Sequence, residues 1–412
     1  MAETDTTPAA ADAQVPQFPT PRSAKCPFNP PSELLALGDE KPLAKAKIWD
    51  GSTPWLILGH AAQRAILADP RVSVDEHRPG FPFPTRTMAE TLEHRPLTIF
   101  NADGADHARF RRMMTAPFTR NRMERLRPAI QQITDQLIDE MLAGPNPTDL
   151  VKALSLPLPS LMICEVLGVP YADHEFFQEH AEVATNTELT GERSHASQQA
   201  LGGYLAKLLM AKMETPGDDV LTDFAERVKA GELELPDAVM LCMVLLIAGH
   251  ETSANMITLA TAALLESPEQ LVQLQTNQDP QFIAGAVEEL LRYLTIAHLG
   301  QRRIALEDIE IEGETIKGGE GIVIPLSAGN WDEAAFPEPE RLDLGREARH
   351  HHAFAWGAHQ CLGQQLARIE LQVVYGTLYR RIPTLRLAVG RDELRFRGDS
   401  LAYGVYELPV TW

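Results

Sequence analysis

Cysteine is scarce in this chain: Cys26, Cys164, Cys242 and Cys361 are the only four in 412 residues, far apart and without a CxxC pair. That excludes a disulfide-stapled scaffold and a zinc site of ordinary spacing, and it fits a reduced, cytoplasmic protein. Positive charge is scarce too, with 37 Lys and Arg against 57 Asp and Glu and a formal net charge of −20. Sequence-independent binding to nucleic acid or to an anionic membrane is disfavoured by that balance, and a small uncharged substrate is easier to accommodate. Long apolar runs are missing. Ala238 to Ala248 is the most apolar stretch, about eleven residues where a bilayer-crossing helix needs about twenty, and it then meets Gly249, His250, Glu251 and Thr252. The opening "MAETDTTPAAADAQVPQFPTPRSA" has no basic segment followed by an apolar one, so neither signal peptide nor membrane anchor is expected. Its Ala, Pro and Thr content reads as a flexible tail over residues 1–25.

What is present is ordinary globular material, 44% apolar and 23% charged. With no internal repeat and no linker dividing two compositions, residues 26–412 read as a single domain. Two β-rich runs flank Asp50-Gly51 and predict a hairpin. From about Ala61 to Leu294 amphipathic helices dominate, broken by a Pro/Phe-rich loop over 78–96 and a polar turn at Thr190-Gly191. One long helix opens at Pro236-Asp237 and closes before Pro268. Short alternating runs between Arg302 and Leu326, and again near the C-terminus, predict small sheets. The fold class is therefore mainly α with a minor β region.

Within "FAWGAHQCLGQQLARIEL", Cys361 stands just before a helix. The macrodipole and free N–H groups there would lower its pKa and favour thiolate. A small buried hydrophobe, a catalytic nucleophile and an axial thiolate ligand to haem iron are the three readings of such a cysteine. The surrounding Phe354, Gly357, His359, Cys361 and Gly363 select the third, because they reproduce F-x-x-G-x-[H/R]-x-C-x-G. On this motif, and on three more in matching order, the chain from about Cys26 to Trp412 resembles the cytochromes P450, haem-thiolate monooxygenases, and in particular the soluble actinobacterial members that tailor secondary metabolites.

The resemblance implies a fold with a long central helix over haem b and the cysteine loop on the proximal side. It gives each further motif a role. Glu289 and Arg292 of "EELLR", three apart on one helix face, match the family's E-x-x-R pair, which Arg341 of "FPEPERLDL" would join in a buried network holding the cysteine loop. In "AGHETSA" the helix would widen into a groove, with Thr252 as hydrogen-bond donor at the oxygen site and Glu251 relaying protons; by residue chemistry alone, Thr252 could simply bond a carbonyl one turn back. His107, Arg111, Arg303 and His359 match residues that hold the haem propionates. By analogy Phe83, Leu97, Leu189, Leu245, Ala248, Thr295, Ile296 and Leu401 would line the substrate pocket, mostly apolar and suited to a bulky macrolide or other polyketide, terpenoid or sterol.

The implied reaction is hydroxylation or epoxidation by a monomeric enzyme, using O2 and electrons passed from NAD(P)H through a ferredoxin reductase and a ferredoxin. Seven arginines between Arg109 and Arg127, with Glu124 as the only acid among them, form an electropositive stretch suited to an acidic partner, with a solvated helix surface as the equal alternative. His350, His351 and His352 read as surface residues. A peroxide-driven or oxidative-coupling enzyme is one alternative and a haem-binding sensor or carrier another; the acid and alcohol at positions 251 and 252 speak against both.

Overall fold

The computed structural model describes residues 15–94, 97–187, 189 and 191–412. Ten short strands appear in chain order: β1 (Leu43–Lys45), β2 (Trp55–Ile57), β3 (Val72–Ser73), β4 (Thr148–Asp149), β5 (Gln301–Ala305), β6 (Ile309–Ile311), β7 (Glu314–Ile316), β8 (Gly321–Ile324), β9 (Arg386–Leu387) and β10 (Pro409–Thr411). The expected hairpin forms as β1 pairing antiparallel with β2, Lys45 opposite Trp55, with Gly51 at φ +88° in the turn. It belongs to a five-stranded sheet of order β1-β2-β8-β5-β3, while β4-β10-β9 and β6-β7 form two smaller sheets.

Eight helices position the site: α1 (His60–Ala68), α2 (Gly104–Thr115), α3 (Pro157–Leu167), α4 (His174–Thr185), α5 (Gly191–Glu214), α6 (Leu235–Leu265), α7 (Pro280–Leu294) and α8 (Gln364–Arg381). Helix α6 has Pro236 in its first turn, as the sequence predicts, and its mostly apolar surface is buried nearly all round. It is long and apolar enough to cross a membrane by length and composition alone. In the fold it is the central core helix, packed against α3, α5, α7 and α8. Gly249 marks the tightest of these contacts: a Cβ there would fall 2.6 Å from Cδ1 of Ile163 on α3, so only glycine lets the two helices cross so closely. Helix α7 starts with the Asp279 side chain accepting from Gln281 N–H and Pro280 in its first turn, and ends where Thr295 turns left-handed at φ +35°.

The chain ahead of Cys26 corrects the expected tail. Phe18 is buried and its N–H donates to Lys47 O at 2.9 Å. The Arg22 guanidinium donates to the carbonyls of Phe28, Leu294 and Thr295 at 3.0, 2.8 and 2.9 Å and stacks 4.3 Å from the Tyr403 ring centroid. Residues 15–25 therefore belong to the packed domain, and the rest of the expected tail lies outside the described residues.

Candidate active site

A cavity of about 660 Å³ opens beneath α6. Cys361 forms part of its floor, in the loop that leads into α8, with its N–H donating to Phe354 O at 2.9 Å. The loop's backbone is demanding. Gly357 has φ +75° and a Cβ there would lie 2.3 Å from Leu67 O of α1, while Ala355 holds φ +57° without being glycine. Gly363 is different: a Cβ would meet no protein atom within 4 Å, so the protein itself does not require glycine there, whereas close approach of a flat group from the cavity would.

The thiol's acidity departs from expectation. Burial pushes the Cys361 thiol up, and the N–H of Gly363, the cations of Arg111 and Arg368, and the N–H of Gln364 pull it down without prevailing. The side chain itself is open to the cavity, where a cation bound at the sulfur would favour the thiolate.

His107, Arg111, Arg303 and His359 converge on the same cavity. The His107 and His359 rings are 4.1 Å apart, and the His359 Nε2 is 3.9 Å from Asp103. Burial lowers Arg303 to about 10, with Asp103 opposing, and burial together with Arg303 and His107 lowers His359 to about 4. His107 Nε2 and Arg303 Nη2 are buried and without hydrogen-bond partners. Stranded donors of this kind are costly unless a ligand satisfies them, and carboxylates on a group lying over Cys361 have the right chemistry. Thiol, glycine and orphaned donors together fit a haem.

Above them, Thr252 faces the cavity and donates to Ala248 O at 2.8 Å. The backbone is α-helical across this segment, and Thr252 makes the bond to the carbonyl one turn back. Glu251 is buried, outside the cavity wall, with Arg397 at 3.3 Å.

The network behind the cysteine loop is present with one change of member. Glu289 and Arg292 are both fully buried, paired at 2.7 Å. Arg292 also donates to Asn330 O, and Asn330 Oδ1 accepts from His352 N–H, linking α7 to the approach to the cysteine loop. Arg341 does not join: it is largely exposed and pairs with Glu338 and Asp343. Arg346 takes the place, donating from Nε to Glu289 at 3.2 Å and from its two Nη atoms to the carbonyls of Pro337, Glu338 and Arg341. A few residues of chain separate the two arginines, and the path of the loop decides which one turns inward.

Sequence reasoning also missed Glu288, Arg368 and Glu370. Burial alone would raise Glu288, but hydrogen bonds from His351 and Arg368 bring it down to about 2. Arg368 lies 4.5 Å from the Phe354 ring, so this pair clamps α8 to the loop. The first acid of "EELLR" and an arginine one turn into α8 were the available signals. Glu370 is fully buried between α8 and α6, beside the Ser253 hydroxyl but without a well-formed hydrogen bond, and burial raises it to about 8. The expectation of surface histidines is corrected for two of three: His351 and His352 are buried, the latter stacked 3.9 Å from His60 and lowered by burial to about 3.

Of the residues expected to line the substrate pocket, Leu245, Ala248, Ile296 and Leu401 do. Phe83, Leu97, Leu189 and Thr295 do not. Phe81 lines the wall where Phe83 was expected, Leu97 is half exposed, and Asn186 and Thr187 occupy the roof near Leu189. Thr295 is buried, donating to Arg292 O and accepting from Asn330 Nδ2 at 2.8 Å, as part of the structural network. In the basic stretch, Arg109, Arg122 and Arg127 are paired with acids, and Arg112, Arg120 and Arg125 remain exposed.

A helical fold with a cysteine at the floor of a buried cavity, under a long helix with an acid-alcohol pair, defines a haem-thiolate site. The family model described as Cytochrome P450 matches residues 210–382. Cytochrome P450 CYP105Q4 of Mycobacterium marinum is 55% identical over 414 residues, covering 100% of both chains. The crystal structure of GfsF superposes with a TM-score of 0.90 at 53% identity, over 97% of this chain and 100% of that one. The mycinamicin VIII C21 methyl hydroxylase MycCI of Micromonospora griseorubida, solved with mycinamicin VIII bound, gives a TM-score of 0.90 at 39% identity over 97% and 100%. The chain belongs to the cytochrome P450 family and is a haem-dependent monooxygenase.

Proposed function

We propose that this monooxygenase hydroxylates or epoxidises a bulky hydrophobic secondary metabolite, of the macrolide type in the first place, in the cytoplasm. Electrons would come from NAD(P)H through a ferredoxin reductase and a ferredoxin, the latter docking near Arg112, Arg120 and Arg125. One observation carries the reading: a single cavity joins the Cys361 thiol, the stranded donors of His107 and Arg303, and a broad apolar wall from α6. The macrolide bound to the hydroxylase MycCI supports the substrate class.

Cys361 would hold the iron, and His107, Arg111, Arg303 and His359 the carboxylates of the haem. When bound, the group would supply oxygen-activating redox chemistry, which an electron-rich thiolate ligand favours. The chain's own residues do the rest. Leu245, Ala248 and Ile296 exclude water and orient an apolar substrate. Thr252 presents a hydroxyl whose proton is held at Ala248 O and can be redirected into the cavity by rotation about χ1. Glu251 recharges it, once the carboxylate turns inward.

A spectral titration of the haem-loaded protein against macrolides, terpenoids and sterols tests the substrate class. A low-to-high-spin change with macrolides, followed by oxygenated product in the presence of NADH and a surrogate ferredoxin pair, is expected. A spin change and product confined to terpenoids or sterols would overturn it.

A further inference from the structure

Glu251 faces away from the cavity, and what holds it there is not part of α6. Arg397, in the segment between β9 and β10, places Nη1 3.3 Å from Glu251 and Nη2 3.6 Å from Glu182 on α4. One guanidinium thus touches both the central helix and a roof helix. We infer that Arg397 is a positioning residue that ties the orientation of Glu251 to the position of the cavity roof. This rests on the reading of Glu251 as a proton carrier.

The surrounding backbone makes the connection mechanical. Thr187 N–H donates to Asp399 O at 2.8 Å and Leu401 N–H to Thr185 O at 3.0 Å. The Asn186 amide reaches Asp399 at 3.3 Å, and Asp399 in turn accepts from the Tyr406 hydroxyl at 2.6 Å. Arg397 itself is fixed by its N–H on Gly404 O at 2.9 Å. Leu401, four residues beyond Arg397, lines the cavity alongside Thr185, Asn186 and Thr187. A ligand that presses on this roof therefore presses on the segment that carries Arg397.

The resting arrangement is also loosely satisfied. Glu251 Oε2 and Arg397 Nε are both buried without a hydrogen-bond partner, although the two side chains are an ion pair. A buried pair in imperfect geometry recovers only part of its desolvation cost, so a second orientation of the carboxylate lies close in free energy. When Glu251 leaves, Arg397 keeps Glu182 and the face of the Tyr406 ring, 5.2 Å away. The cation is not stranded by the release, and a roof movement that draws Arg397 toward Glu182 frees the acid.

Hydrogen exchange on the haem-loaded, ligand-free enzyme tests the tie without turnover. Glu251→Gln and Arg397→Met should each speed exchange at 182–187 several-fold, with no further increase in the double variant. Unchanged exchange in Glu251→Gln, or effects that multiply, overturns the proposal. The solvent isotope effect on NADH-driven oxygen consumption, with a surrogate ferredoxin pair, supplies the proton readout. It should rise in Glu251→Gln, fall in Arg397→Met, where nothing holds the carboxylate away from the cavity, and return toward the parent value in Arg397→Lys. If it rises in Glu251→Gln and Arg397→Met leaves it unchanged or raises it, the tie fails and the proton role stands; if it does not rise in Glu251→Gln, the proton role itself fails.

Discussion

The floor and the roof of the cavity are built on opposite principles. Beneath Cys361, buried charges are paired in short, multiply bonded contacts: Glu289 with Arg292 and Arg346, Glu288 with Arg368 and His351. At the roof, Glu182 is largely exposed, Arg397 leaves a nitrogen unsatisfied, and contacts run through single backbone hydrogen bonds between 185–187 and 399–401. The difference teaches where the fold spends its rigidity. A redox group needs one fixed geometry, while a mouth that admits a bulky molecule needs adjustable contacts.

The sharpest way to break the contrast is at the floor's one thiol. Cys361→Ser should abolish the red-shifted absorption of the reduced, carbon-monoxide-treated enzyme, and persistence of that band would refute the assignment of the ligand. Next, Arg346→Met should cost about 3–5 kcal/mol in denaturant unfolding because it strips a partner from buried Glu289, whereas Arg341→Met should cost only about 0–1 kcal/mol. Equal losses would restore the sequence-based choice of Arg341.

Glu370 gives the floor a pH signature. Its folded pKa of about 8 is above the ordinary carboxylate value, so the folded state holds the proton more tightly than the unfolded one. The stability this permits is complete below the unfolded pKa and declines as pH rises toward 8. Glu370→Gln should thus be stabilising by on the order of 3 kcal/mol at neutral pH and nearly neutral at pH about 4. Parallel stability curves for parent and variant across this range would contradict it.

Thr252→Ala should lower product per NADH several-fold while leaving the substrate-induced spin change intact, and an unchanged yield would remove Thr252 from the proton route. The smallest effect belongs to the roof. Leu401→Ala should change stability by about 1 kcal/mol or less, because the side chain is already 43% exposed, yet shift which ligands produce the spin change. An unaltered ligand profile would detach Leu401 from recognition.

The floor was also the more legible half. Phe354 to Gly363 and Glu289 with Arg292 are motifs of close spacing, and the structure sets the first on the cavity and the second as a fully buried pair behind it. Choices that depend on loop path were not readable. Arg346 rather than Arg341 turns inward, His351 is buried against Glu288 of α7, and His352 against Gln63 of α1 and Asn330, all contributed by distant stretches of chain. The opposing pull on the Cys361 thiol was not readable because a helix terminus is a local feature, whereas desolvation comes from the surrounding fold. Roof residues were half right for the same reason: α6 supplies a wall at regular spacing, but Phe83 and Thr295 depend on how loops close.

The Arg22 clasp has a consequence for the order of events in the life of the chain. Its donors close on carbonyls 272 and 273 positions away, and its guanidinium lies against Tyr403, almost at the other terminus. Those carbonyls finish the helix that bears Glu289 and Arg292, so the N-terminal segment can brace that helix only once chain 272 positions further on is in place.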